Sequence, residues 1–267
     1  MKIRKIVAAL AAAAALTLPA SAADVLLVHG ENVWEQTNAR MVEGDTTYVS
    51  LRAVTELLAP EAEVFWADGS AFVQGDGLSI SARPGDTWLT VNDRALYISH
   101  GVMLEEGRTM VPVRILAEAL GGQVEWSRET GITLSAGDGQ LSAAPYTAEE
   151  LDWMARIISA ESRGEPLIGK LAVGTVVLNR VASDEFPNNL YDVIFDDQWG
   201  VQFEPVANGT VFNEPTEESV LAAKLCLEGA RVGEDSLYFL APELTTNHWI
   251  MENREYVTTI GCHWFYR

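Results

Sequence analysis

Two cysteines in 267 residues are too few to staple a fold, and a chain this long has material for ordinary hydrophobic cores without them. Cys226 and Cys262 leave two readings open: a disulfide contributing about 3–4 kcal/mol in the chain-entropy model, or two free thiols. A nucleophilic Cys262 beside His263 is the least favoured, because sequence neighbours rarely form a catalytic pair. Cations are also scarce. Lys and Arg number 18 against 38 Asp and Glu, giving a formal charge of −20 shared about evenly by the two halves of the chain. No basic patch can be read, which argues against nucleic acid and anionic membrane surfaces as partners. The four histidines, His29, His100, His248 and His263, are not paired at ligand spacing, so the sequence predicts no metal site and no cofactor. Long apolar runs are missing beyond the amino terminus, where Lys2, Arg4 and Lys5 precede Ile6 to Leu18 and Ala20-Ser21-Ala22 offers a cleavage site. That pattern predicts an export signal over 1–22 and a secreted, extracytoplasmic chain without stable membrane insertion. An uncleaved anchor is the alternative.

What the chain does have is an internal repeat over 24–136. Tyr48-Val-Ser-Leu-Arg52-Ala-Val-Thr-Glu56-Leu-Leu returns as Met110-Val-Pro-Val-Arg114-Ile-Leu-Ala-Glu118-Ala-Leu, each followed by a Val-x-Trp strand, Val64-Phe-Trp66 and Val124-Glu-Trp126. Leu27-Val28-His29-Gly30 likewise returns as Thr90-Val91-Asn92-Asp93. Each unit reads as short strands, a helix of about ten residues, and a hairpin turning at Asp68-Gly69 or Glu129-Thr130-Gly131. This segment resembles the copper amine oxidase N-terminal domain, although no histidine cluster supports copper. In it, Arg52 and Arg114 are expected to tie each helix to a neighbouring strand. Trp66, Trp88 and Trp126 are expected as core anchors, with an exposed aromatic platform for glycan as the other reading. Residues 137–146 have the composition of a linker.

From 147 the period changes. Thr147 and Glu150 suit a capping box, and Leu151, Met154, Ala155 and Ile158 recur at helical spacing, so Glu161 falls on the same buried stripe. Desolvation there favours the neutral carboxyl and raises its pKa toward the range of a general acid. A glutamate bonded to backbone N–H groups at a helix end fits the pattern equally. Leu167 to Val181 follows, apolar almost all round, with Gly169, Ala172 and Gly174 permitting close approach, and reads as the buried axis of a domain. A further helix is expected over Glu217–Ala230.

The run Ala160-Glu161-Ser162-Arg163-Gly164-Glu165-Pro166, with Val176-Val177-Leu178-Asn179-Arg180-Val181, Phe186-Pro187, Gln202-Phe203, Leu237-Tyr238-Phe239 and the terminal Gly261-Cys262-His263-Trp264-Phe265-Tyr266-Arg267, resembles the SleB-type cell-wall hydrolases, the spore-cortex-lytic enzyme family. The likeness covers about 147–267. The fold expected is therefore α+β: a small repeated α/β domain, then a mostly helical, lysozyme-like catalytic domain. The resemblance implies cleavage of peptidoglycan glycan strands by lytic transglycosylation, with Glu161 as the catalytic residue, acting as a monomer at cell wall or spore cortex. It places Gln202 on the glycan, Phe203 beneath a sugar, and Tyr238, Phe239, His263 and Tyr266 on the opposite wall, each aromatic being open to a purely packing role. Ser162 orients the acid or touches the acetamido group, or else caps the helix end. Asn179 and Arg180 are read as a structural bond network. The family carries a small hydroxyl residue where this chain has Glu204. Glu204 and Glu165 are thus the possible second carboxylates, and a muramidase using water, or a noncatalytic wall-binding protein, are the other functions.

Overall fold

The computed structural model describes residues 25–29, 32–36, 40–42, 46–127, 131–136, 141–198, 200–245 and 248–267. The export signal expected over 1–22 lies outside them, as does part of the proposed linker and of the turn at Glu129-Thr130.

The repeat appears as two strand-rich units. In the first, β1 (Val25–His29) and β2 (Asn32–Gln36) pair, β3 (Arg40–Val42) and β4 (Thr46–Ser50) pair, α1 (Leu51–Leu58) follows, and β5 (Glu63–Ala67) pairs with β6 (Ser70–Gly75). After β7 (Leu78–Ala82), the second unit repeats the order with β8 (Trp88–Val91) on β9 (Arg94–Tyr97), β10 (Met103–Glu105) on β11 (Arg108–Pro112), α2 (Val113–Ala119), and β12 (Gln123–Ser127) on β13 (Gly131–Ser135). The units interlock. Strand β13 runs parallel to β1, β11 pairs antiparallel with β4, and β7 links β6 to β8, giving sheets ordered β12-β13-β1-β2, β10-β11-β4-β3 and β5-β6-β7-β8-β9. Neither unit buries its apolar face alone. Together they enclose Tyr48, Val54, Val73, Ile80, Leu89, Val111, Leu116 and Leu134.

The helices are shorter than the expected ten residues, 8 and 7. Ser50 starts α1 by accepting from the Ala53 N–H, whereas Pro112 starts α2 without a side-chain cap. The Asp68-Gly69 turn forms with φ 49° and 77°, the left-handed pair that a tight hairpin requires. The arginines do not act as expected: the charged partner of Arg52 is Glu56 on its own helix, at 3.8 Å, and Arg114 is exposed.

The second half is built on α3 (Ala148–Ser162), α4 (Leu167–Ala182), α5 (Leu190–Ile194), α6 (Glu204–Asn208) and α7 (Glu217–Leu227). Helix α4 is the central one, buried from Gly169 through Val177. A Cβ added at Gly174 would stand 2.7 Å from Cys226 Sγ and 2.9 Å from Ile158 Cδ1, so glycine sets how closely α3, α4 and α7 meet. Lys170 is 1% exposed in this apolar helix and is satisfied there by Glu218 at 2.8 Å and by the Glu165 carbonyl. Strand β14 (Tyr238–Leu240), helix α8 (Trp249–Asn253) and strands β15 (Tyr256–Ile260) and β16 (His263–Tyr266) complete the chain, with a sheet ordered β14-β16-β15. Both cysteines are free thiols. Cys226 is buried with its Sγ 3.5 Å from the Leu171 carbonyl, while Cys262 is exposed.

The halves are tied together through β9. Arg94 donates Nε and Nη2 to the Glu228 carboxylate, both at 2.5 Å, and Nη1 to the Ser142 carbonyl at 2.7 Å. Ala95, Trp88 and Tyr97 pack into the core of the helical half. Trp88 is thus an anchor between the domains. Trp66 and Trp126, 51% and 65% exposed, do not anchor a core.

Candidate active site

Glu161 is delivered by a well-specified helix. The capping box forms, with Thr147 N–H donating to Glu150 Oε2 at 2.7 Å and Glu150 N–H to Thr147 Oγ1 at 3.2 Å. This fixes the start of α3, and Met154, Ala155, Ile157 and Ile158 are then driven into the core. Three residues after Ile158, the Glu161 side chain stays at the edge of that buried stripe. Its pKa is pushed from 4.5 up to about 7, first by burial and then by the charge of Glu204, against a smaller lowering by Arg180.

Arg180 comes from the last turn of α4 and is only 4% exposed. Its guanidinium lies 4.8 Å from the Phe186 ring centroid, 4.9 Å from Phe203 and 5.5 Å from Tyr238. Nε donates to the Leu237 carbonyl at 2.8 Å, and Nη1 is buried without a hydrogen-bond partner. Burial brings the Arg180 pKa down to about 10, resisted by Tyr238, Glu161 and Asp196. Its neighbour Asn179 donates to the Glu234 and Ser236 carbonyls, so the expected bond network is present. Arg180 does more than join it: it is a buried cation with one unused donor, and its charge acts on the Glu161 carboxyl, whose proton desolvation favours.

Glu204 is exposed at the first position of α6. The loop before it carries Gln202, half-buried, with Nε2 donating to the Gly200 carbonyl at 2.9 Å. Tyr238 is half-buried on β14 and held between Arg180 and Arg254, whose guanidinium stands 4.4 Å from its ring. The charges of Glu204 and Arg180 thus act on Glu161, and Tyr238, Glu161 and Asp196 act on Arg180.

Other expected site residues go elsewhere. Ser162 is 2% exposed and donates its hydroxyl to the Ile158 carbonyl at 2.6 Å. Its hydroxyl proton is thus committed to its own helix. Phe203 is 2% exposed beneath Arg180 and 6.4 Å from Phe239, a floor of the site in place of a stacking face. Phe239 is half-buried and packs on Phe265, at 6.0 Å, and edge-on to His263, at 5.4 Å. His263 is 7% exposed, its Nδ1 unpartnered, its pKa lowered by burial against a raising by Glu165. Tyr266, 3% exposed, packs on Tyr256. Glu165 is half-buried in its turn and tied down there: its carboxylate accepts the Cys262 N–H at 3.0 Å and pins the β15–β16 turn to the α3–α4 junction. Among the described residues no group of three or more His, Cys, Asp or Glu is placed to hold a metal ion.

Arg180, Asp196 and Arg254 are the members that the motif reading did not assign to chemistry. One signal was available for Arg180, a cation near the end of an otherwise apolar helix in an acidic chain. None marks Asp196 or Arg254, which nonlocal packing brings in.

Comparison with known proteins agrees with this architecture. Residues 164–266 match the family model described as cell wall hydrolase, and residues 27–134 the copper amine oxidase N-terminal domain. Glu161 lies three residues ahead of the first of these stretches. The spore cortex-lytic enzyme of Bacillus cereus is 36% identical over 120 residues, 45% of this chain and 45% of that protein. Its counterpart in Bacillus subtilis is 32% identical over 120 residues, covering 45% and 38%. The chain thus spans less than half the length of these relatives. A solved structure, the catalytic domain of a germination-specific lytic transglycosylase, SleB, from Bacillus anthracis, is 35% identical, covers 46% of this chain and 97% of its own, and aligns with a TM-score of 0.42.

Proposed function

We propose, for a chain whose second domain belongs to the cell wall hydrolase family and whose first is a copper amine oxidase N-terminal-like domain, an extracytoplasmic enzyme that cuts peptidoglycan between N-acetylmuramic acid and N-acetylglucosamine. The observation that carries this reading is Glu161, a carboxyl group near pKa 7 beside a buried arginine. Cleaving the bond requires a proton on the leaving oxygen and tolerance of an oxocarbenium-like sugar. Glu161, neutral at the working pH, donates that proton. The Glu204 charge favours the protonated acid before the step, and Arg180 favours the carboxylate left after it. That carboxylate then takes the proton of the muramyl C6 hydroxyl as its oxygen closes on the anomeric carbon. The products are a 1,6-anhydro-muramyl end and a free glucosaminyl end, and no water is consumed. Gln202, on the loop before Glu204, and Tyr238, which packs against Arg180, are the residues we assign to hold the sugars.

The relatives' description as spore cortex-lytic enzymes supports cortex as the substrate. A second reading rests on Glu204, an exposed carboxylate close enough for its charge to act on Glu161: activation of water by Glu204 gives hydrolysis of the same bond. Mass spectrometry of peptidoglycan fragments released by the purified chain separates the two. Fragments lighter by one water are the expected outcome, and hydrated reducing ends overturn ring closure in favour of the Glu204 reading.

A further inference from the structure

The first domain exposes what a soluble sheet edge ordinarily hides. Strand β5 is the edge of its sheet, and on it Phe65 is 38% and Trp66 51% exposed. Large apolar rings on an edge strand invite association unless they serve a purpose. The second unit keeps the feature. Strand β12 is also an edge strand, its exposure pattern matches that of β5 residue for residue, and Trp126, the repeat equivalent of Trp66, is 65% exposed.

At the first of these edges there is a cavity of about 310 Å³, bounded by Phe65 and Trp66, by Arg52 and Glu56 of α1, and by Arg108 and Thr109 of β11. Its wall is held in place by packing. Phe65 stacks on Phe72 with centroids 5.4 Å apart and planes 18° from parallel. Trp66 stands opposite Ala71 in the ladder, and the small alanine, itself part of the cavity lining, leaves the indole flank open. The other wall is polar and cationic. The Arg52 and Arg108 side chains are 56% and 43% exposed, and their ion pairs, with Glu56 at 3.8 Å and Glu106 at 3.5 Å, are loose. Exposed pairs of this kind contribute little and leave the guanidinium donors available to a ligand.

We propose that this groove is a glycan-binding site of the first domain, taking an N-acetylated hexosamine strand of peptidoglycan. A ring face flanked by arginine donors matches a pyranose, whose C–H face lies on an aromatic ring while its acetamido and lactyl carbonyl oxygens accept hydrogen bonds. In a chain of charge −20, exposed guanidinium donors beside an aromatic face offer hydrogen bonds to the neutral acetamido and hydroxyl groups of a glycan. The Arg94–Glu228 pairing and the Lys224 Nζ bond to the Asp93 carbonyl at 2.5 Å couple the domain that would hold the strand to the one that would cut it. The choice of peptidoglycan rests on the reading of the Glu161 site; the groove does not.

The test uses the full chain carrying Glu161→Gln, so that bound glycan is not cut, and glycan strands freed of stem peptides by an amidase and immobilised on beads, beside intact insoluble peptidoglycan. Co-sedimentation should weaken roughly tenfold or more with Trp66→Ala and stay close to the parent with Trp66→Phe. Unchanged sedimentation of Trp66→Ala, or binding that vanishes once the stem peptides are gone, overturns the groove. If Trp66→Ala does not fold, Arg52→Ala with Arg108→Ala decides, since both residues are exposed: retained binding refutes the proposal and lost binding supports it. A parent chain that sediments with stripped glycan yet releases no fragments leaves the groove standing and removes the catalytic reading instead.

Discussion

Glu161 and Arg180 divide the work of one titration. Burial holds the Glu161 proton, and Arg180 limits how costly its loss becomes. The consequence for stability has a definite sign. The unfolded chain releases this proton near pH 4.5 and the native chain near 7, so between those values the native state binds more protons, and stability falls as pH rises through the window. Each pKa unit is worth about 1.4 kcal/mol, which sets a ceiling of about 3 kcal/mol on the loss before the partial exposure of the side chain reduces it. Glu161→Gln carries no such slope. Its melting temperature should exceed that of the parent above pH 7 and converge with it below pH 4.5, as thermal denaturation across pH 4–8 would register. Parallel curves for the two proteins would mean that Glu161 titrates normally and is not desolvated.

The three long helices pack through their smallest residue. Gly174→Ala places a methyl group against Cys226 Sγ and Ile158 Cδ1, and overpacking of this kind costs about 1–3 kcal/mol, readable as a lower urea midpoint at unchanged m-value. Helices α3 and α4 were legible in the sequence almost to their ends, because a capping box and a Pro-led apolar run are local signals. The expected helix over Glu217–Ala230 proved shorter, ending at Leu227, with Gly229 in the left-handed region at φ 101°. Strands β14 to β16 were legible only as motif fragments, since three to five residues carry no period and their pairing joins residues far apart in the chain. The same limit applies to side chains. Ser162 and Phe203 belong to motifs that point at the site, but only packing determines that one bonds back to Ile158 and the other lies under Arg180. Trp66 and Trp88 look alike in sequence, and it takes the docking of the first domain on the helical core to cover part of Trp88 while Trp66 stays exposed.

The two domains share a buried ion pair. Glu228 has a side-chain exposure of 3% and Arg94 of 11%, so removing the arginine leaves a carboxylate sealed against solvent. Arg94→Ala should cost on the order of 3–5 kcal/mol, measured by denaturant unfolding of the full chain, with Arg94→Lys recovering part of the loss. A change below about 0.5 kcal/mol would show that the domains are tethered without being docked. Docking matters for the proposed cleavage of a wall polymer by an acidic chain, because bulk attraction gives no help and the substrate must be held by local contacts. The account as a whole turns on one carboxyl group. The decisive measurement is the rate at which the full chain and its Glu161→Gln variant release soluble fragments from purified peptidoglycan, with Glu165→Gln and Glu204→Gln beside them. The account predicts a loss of at least about 10²-fold for Glu161→Gln, measurable activity in both other variants, and a parent rate that declines as pH rises through about 7. Glu161→Gln retaining more than about a tenth of the parent rate would contradict it.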